Sequence, residues 1–188
     1  MDVASKPDEW LMSQVRLGCR ESLELLLRRY ATPLFTFILR MMGDRHRSEE
    51  LFQEVFLAVW KNRRQYQEPK PFKPWLYAIA VNKCREVFRA RPMTTLGSPE
   101  DNGAAATVAA DPSPEERAMA AETAAAVTAA VIDLPPQQRA VVILRVWGDL
   151  SYAEIAEAVD RTEATVRSHM HHALATLKKS LDPLLAQS

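Results

Sequence analysis

SYAEIAEAVDRTEATVRSHMHHALATLKK, residues 151–179, is the stretch whose reading decides the fold. Ser151 followed by Glu154 is a capping-box pattern, which satisfies free backbone donors at a helix start. Ala153, Ile155, Ala156 and Val159 supply small apolar contacts, and Asp160-Arg161-Thr162 then interrupts the pattern. Thr162 suits the N-cap of a second helix, with Glu163 against the positive end of its dipole. Wound at 3.6 residues per turn, Val166, Met170, Ala173, Leu174, Leu177 and Leu181 gather into a packing stripe. Ser168, His171, His172, Ala175 and Lys179 land opposite, flanked by Arg167, His169 and Lys178. A short helix, a tight turn and a longer helix make a helix-turn-helix, whose second helix enters the DNA major groove. A helical hairpin that only packs has the same pattern. His169, His171 and His172 point away from the stripe, with no cysteine nearby, so the ligands of a tetrahedral metal site are not assembled.

The chain has 188 residues, room for one domain or two small ones, with 47% apolar and 26% charged residues. Cys19 and Cys84 form no spaced motif and read as reduced thiols of a cytoplasmic protein. No apolar run spans a bilayer, and MDVASKPDEW is not a signal peptide, so no membrane insertion is expected. A net charge of zero hides an asymmetry. Residues 1–91 carry 17 Lys and Arg against 11 Asp and Glu, residues 92–132 carry 1 against 6, and residues 133–188 carry 6 against 7. The basic part suits a nucleic-acid surface, and equally a solvated basic face.

Upstream of the helix-turn-helix, residues 91–117 are rich in Pro, Gly, Ala, Ser and Thr and lack apolar periodicity. Such a segment buries too little to offset its chain entropy, and it predicts a flexible linker. The expected organisation is therefore all-α: a helical domain over 1–91, a linker over 92–117 and a helix-turn-helix domain over 118–188.

The first of these opens with helices over 8–17 and 20–42, the second interrupted or kinked at Pro33 and ended at Gly43. Ser48 caps the next, SEELFQEVFLAVWKN, with Leu51, Val55, Ala58 and Val59 on its core face. Leu57 and Trp60 lie off the centre of that face, so they are buried on a second side or meet a partner. RRQYQEPKPFKP, residues 63–74, is a basic loop kept extended by its prolines. Pro74 suits the start of WLYAIAVNKCREVFRAR, whose Asn82, Arg85 and Arg89 form a polar stripe. Aromatics interleaved with basic residues, here Tyr66, Phe72 and Trp75 among the arginines, suit an unpaired nucleic-acid strand. A core tryptophan with solvent-facing arginines fits the same pattern.

SEELFQEVFLAVWK followed by FKPWLYAIAVNKCREVFRAR resembles the second domain of bacterial sigma factors of the extracytoplasmic-function group. LPPQQRAVVILRVWGDLSYAEIAEAVDRTEATVRSHMHHALATLKK resembles the fourth domain of that group, and the blocks stand in the family order. The resemblance implies a factor that directs core RNA polymerase to promoters, without cofactor and without catalysis of its own. It implies that Glu50, Gln53, Glu54, Phe56, Leu57 and Trp60 dock on the clamp helices of the largest polymerase subunit, with the flap region as a further contact. It places the −10 element on Arg63, Arg64, Tyr66, Phe72, Trp75, Asn82, Arg85 and Arg89, with a flipped base near Tyr66 and Asn82. It places the −35 element on Arg167, Ser168, His171 and His172, with Thr165 and Lys179 on the phosphates. An anti-sigma factor gripping both domains is the usual regulator of such proteins. Two departures stand out. Many members carry arginine where His169 and His172 stand, and histidine is mostly uncharged at neutral pH, which implies weaker, more salt- and pH-sensitive −35 binding. The proline-rich loop replaces a small polar one.

Two other classes are weighed against this. A polymerase-independent helix-turn-helix regulator leaves the Gln53–Trp60 helix without a purpose. An enzyme reading finds no Gly-rich phosphate loop, metal-spaced cluster or nucleophile elbow, and Glu49-Glu50 and Glu115-Glu116 read as helix-cap charges.

Overall fold

A computed structural model describes residues 5–90 and 114–185, and among these the regular structure is helical throughout. The helices are α1 (Asp8–Arg16), α2 (Arg20–Met42), α3 (Arg45–Asn62), α4 (Phe72–Ala90), α5 (Pro114–Ile132), α6 (Pro136–Val146), α7 (Tyr152–Val159) and α8 (Glu163–Leu185). The expected linker lies outside the described residues except for 114–117, which open α5. No helix among the described residues is long and apolar enough to cross a membrane.

Helices α1 to α4 pack around Leu26, Leu34, Phe37, Ile38, Leu51, Val55, Val59, Leu76 and Tyr77, all buried. The α1–α2 corner is tied by Asp8, which accepts from the Tyr30 hydroxyl at 2.5 Å and pairs with Arg29. Burial, with Asp8 second, drives the Tyr30 pKa well above the phenol range, so the hydroxyl keeps its proton. Burial likewise raises the Cys84 thiol to about 12, which leaves it an unreactive core residue.

Several helix boundaries differ from expectation. α3 starts at Arg45, because Asp44 caps it by accepting from the Arg47 amide at 2.6 Å. Ser48 instead sits buried in the first turn, its hydroxyl donating to the Asp44 carbonyl at 2.5 Å. α2 runs unbroken through Pro33 to a left-handed Gly43. α4 starts at Phe72 rather than Pro74, since the Glu9 carboxylate accepts the Phe72 amide at 3.1 Å from across the domain. The 63–74 loop is less extended than its prolines suggest. It contains a 3₁₀ turn at Arg63–Gln65 and a turn closed by Lys70 N–H donating to the Gln67 carbonyl at 3.0 Å.

Helices α5 to α8 form the second unit, with Val131, Leu134, Val141, Ile143, Leu144, Leu150, Ile155, Val166, Met170 and Ala173 buried. The Ser151–Glu154 capping box forms in full, and Thr162 caps α8 by accepting the Thr165 amide at 3.2 Å. Leu174, expected on the packing stripe, is 54% exposed at its margin. The turn after α6 has no room for a side chain. A Cβ at Gly148 would lie 2.6 Å from the Leu144 carbonyl oxygen and 3.1 Å from its Cα, both backbone. Gly148→Ala should therefore cost about 1–3 kcal/mol through a forced backbone shift, read as a drop in thermal midpoint.

The two units share one continuous core. Two hydrogen bonds between them are made at helix C-termini, where carbonyls lack intrahelical partners and the dipole is negative: Arg139 to Met41 and Arg85 to Val159. Arg139 of α6 is 3% exposed and donates to the carbonyls of Met41 (2.5 Å) at the end of α2, Ile132 at the end of α5, and Leu134 (3.0 Å). Arg40 lies over the Trp147 ring at 4.2 Å, and α7 packs along α4.

Candidate polymerase and nucleic-acid surfaces

Three surfaces carry the residues singled out in the sequence. On α3, Glu50, Gln53, Glu54 and Leu57 face solvent, and Leu57 is 57% exposed, a large apolar side chain on an otherwise polar face. Glu54 is held 3.3 Å from Lys83 of α4, and Glu50 pairs with Arg47 at 2.5 Å. Trp60 is half-buried, with Arg63 stacked over its ring at 4.2 Å. Phe56 departs from expectation. It is 6% exposed and packs edge-on against Phe52 at 5.3 Å, so it props the surface from beneath.

The second surface is the loop before α4 and the polar stripe of that helix. Asn82, Arg89 and Arg64 are exposed. Asn82 Oδ1 lies 3.4 Å from Arg85 Nη1. Arg63 folds back, donating to the Trp60 carbonyl at 2.7 Å at the end of α3. Tyr66 and Phe72, expected as stacking platforms, are 1% and 0% exposed. Phe72 packs on Tyr30 at 5.4 Å, a core neighbour far away in sequence, and the Tyr66 hydroxyl is tied within its own loop by donating to the Lys70 carbonyl. Burial, with Glu9 second, raises the Tyr66 pKa to about 12. Trp75 is half-buried, edge-on to Tyr66 at 5.3 Å, so it is the aromatic of this group that retains some exposure.

Beside this stripe runs a cleft of about 450 Å³ between the two units, with Val81, Phe88 and Ala140 in its lining and Asn82, Arg85, Arg89, Gln137 and Arg161 supplying polar groups. Desolvation lowers the Arg85 pKa, and the neighbouring Arg161 and Arg89 charges push the same way while Asp160 opposes them. Arg161, from the turn between α7 and α8, was not singled out in the sequence. It sits in a short turn with no periodicity, and its relation to Arg85 exists only once the units meet.

The third surface is the outward face of α8. Arg167, Ser168, His171, His172 and Lys179 are exposed, while His169 is half-buried. The His171 and His172 rings lie edge-on at 5.9 Å. Arg167 pairs with Glu163 at 2.5 Å and covers the Tyr152 ring at 4.5 Å. Both contacts are at the surface, so the guanidinium is readily redirected toward another anion. Thr165 is half-buried and shares its hydroxyl with Thr162 at 2.8 Å. Among the described residues no three His, Cys, Asp or Glu side chains come together as metal ligands.

The family models described as Sigma-70 region 2 and Sigma-70, region 4 match residues 26–92 and 124–177. The chain is 33% identical over 157 residues to the ECF RNA polymerase sigma factor SigE of Mycolicibacterium smegmatis, covering 83% of this chain and 60% of that protein. It is 27% identical to the RNA polymerase sigma-H factor of Pseudomonas aeruginosa, over 99% of this chain and 100% of that one. Its fold is similar to that of the sigma factor RpoE of Bartonella quintana, solved in complex with the anti-sigma factor NepR, with a TM-score of 0.67 and 18% identity over 85% of this chain and 96% of the other. Both domain signatures stand in one chain in the same order as their helices, and the chain belongs to the extracytoplasmic-function group of sigma-70 factors.

Proposed function

We propose that this chain directs core RNA polymerase to promoters through three surfaces: α3 for polymerase, the 63–74 loop with α4 for the −10 strand, and α8 for −35 duplex. The observation that carries this reading is the exposed polar face of α8 set behind a fully formed capping box, in a chain that also holds the region 2 helices. Ser168, His171 and His172 are free to meet base edges, and Arg167 and Lys179 to meet base or phosphate.

On the −10 side the available groups are Asn82, Arg64 and Arg89, with Arg85 once it is released and part of Trp75. Tyr66 and Phe72 hold the loop in shape from below. An extruded base needs polar contacts that replace its lost pairing, and Asn82 offers both a donor and an acceptor. The chain itself breaks no covalent bond in this reading. It positions DNA on the enzyme that does, and binding at two tethered sites raises the joint affinity by effective concentration. The function is regulated by an anti-sigma factor, a reading supported by the complex in which the RpoE likeness was solved.

Run-off transcription with core polymerase, on DNA from upstream of the chain's own gene, tests the reading. A discrete start site is expected that requires the chain. Asn82→Ala should cut the transcript at least tenfold while leaving core binding within twofold, since Asn82 is exposed and on another helix from Leu57. A mutant transcript at the wild-type level would remove Asn82 from strand recognition.

A further inference from the structure

Three arginines meet at the cleft between the two units, and none of them is paired with a carboxylate among the described residues. Arg85 and Arg89 come from α4, and Arg161 comes from the turn between α7 and α8. Elsewhere on the surface Arg28, Arg45, Arg47 and Arg167 each hold a glutamate. Arg85 is half-buried. Desolvation weighs on its charge, the charges of Arg161 and Arg89 work the same way, and Asp160 opposes them. Its hydrogen bonds go to the Val159 carbonyl at 2.7 Å and to Asn82 Oδ1 at 3.4 Å, so most of its N–H donors stay open. Arg161 uses one donor, to the Asp160 carbonyl at 2.7 Å. Gathering like charges at a partly desolvated site is unfavourable until an anion joins them.

Helix α6 brings its N-terminal end to the same place, with Pro136 and Gln137 in the lining. The first α6 amide to bond back is that of Arg139, to the Pro135 carbonyl at 2.9 Å, so the Gln137 and Gln138 amides have no partner inside the helix. That end also carries the positive pole of the helix dipole. The cleft therefore collects positive charge from α4, from the α7–α8 turn and from a helix start.

Much of the remaining lining is apolar, from Met41, Val81, Phe88 and Ala140, while the side-chain amides of Asn82 and Gln137 offer donors and acceptors. At about 450 Å³ the cleft is far larger than a lone phosphate needs and falls in the range of small-molecule sites. Three guanidinium groups facing the single carboxylate of Asp160 call for more than one phosphate. The ligand that fits joins a multiply charged anion to a flat, largely apolar body with polar edges. We propose that the cleft binds a nucleoside diphosphate, with its phosphates on Arg85, Arg89 and Arg161 and its base against Val81 and Phe88, read at its edge by Asn82 and Gln137. Asn82, Arg85 and Arg89 also belong to the −10 block, whereas Arg161 and Gln137 do not. The site can therefore be tested through the latter two, apart from the −10 reading.

The test is heat titration of the full chain with GDP and with ADP, set against pyrophosphate and the matching nucleosides. Saturable binding of at least one of the two nucleotides is expected, about tenfold or more tighter than either of its parts, since each part forfeits half of the contacts. Gln137 is exposed at the start of α6, so Gln137→Glu suits the helix dipole and keeps the fold, yet it sets a carboxylate against the phosphates. It should weaken binding about fivefold or more. Arg161→Ala should weaken it as much, and if that variant fails to fold, Gln137→Glu carries the test. Arg28→Ala removes the same charge from the exposed face of α2 and should leave binding within about twofold. Absence of saturable binding by either nucleotide would overturn the proposal. So would pyrophosphate binding as tightly as the nucleotide, which leaves an anion site only. Wild-type affinity in Gln137→Glu, or an equal loss in Arg28→Ala, would likewise remove the nucleotide from this cleft. If Asn82→Ala loses the transcript and no nucleotide binds, the −10 reading stands and this site alone fails.

Discussion

Arg139→Met is expected to destabilise the chain by about 3–5 kcal/mol, because it removes one side chain and strands three carbonyls at once. Methionine matches the aliphatic stem, so the loss isolates the hydrogen bonds rather than the packing. Arg139 is 3% exposed, and burial lowers its pKa while the Asp133 charge works against that shift. Its compensation comes from carbonyl oxygens at two helix ends and from the Phe88 ring, 5.6 Å away. Without it, the Met41 and Leu134 carbonyls lose their donor in a place closed to solvent, and the Ile132 carbonyl at the end of α5 loses it in a partly buried one. The thermal midpoint should fall by about 6–20 °C for a chain of this size. A fall below about 2 °C would mean that water or relaxation satisfies those carbonyls.

The second large effect concerns polymerase. Leu57→Asp should weaken core binding tenfold or more in a titration of labelled chain with core enzyme. Leu57 is 57% exposed on α3, and nothing in the fold requires it there. An apolar side chain at the centre of a polar docking face is the kind of residue that dominates an interface, with losses of about 2 kcal/mol or more on removal. Phe56, one residue earlier, gives the matching control. It is 6% exposed, so its truncation should act on stability first. The thermal midpoint of Leu57→Asp should stay close to wild type, because an exposed substitution on a helix costs about 0.5 kcal/mol or less. Unchanged core affinity would move the docking surface away from Leu57.

These residues also mark what could be read before the fold was known. The capping box at Ser151, the Thr162 cap and the outward turn of His171 and His172 were legible because each depends on neighbours within one or two helical turns. Helical period and cap chemistry are local, so the amino-acid order carries them directly. The α3 start was misread by four residues because Ser48 and Asp44 both have cap chemistry, and only backbone geometry selects between them. Tyr66 and Phe72 were misplaced for a different reason. An aromatic in a basic loop has the same local signature whether it stacks on a base or fills a core, and the Phe72–Tyr30 contact joins residues far apart in sequence.

The sequence by itself determined an all-helical chain with a helix-turn-helix near its C-terminal end, a basic N-terminal half and a row of candidate side chains on each helix. Only the tertiary structure decided which of those side chains reach solvent and which are already engaged. Arg85 and Val159 stand 74 residues apart, and Arg139 and Met41 stand 98 apart. A carbonyl is present at every position and leaves no mark in the sequence. Its role as a partner appears only when a helix end is brought against an arginine, and that is settled by packing.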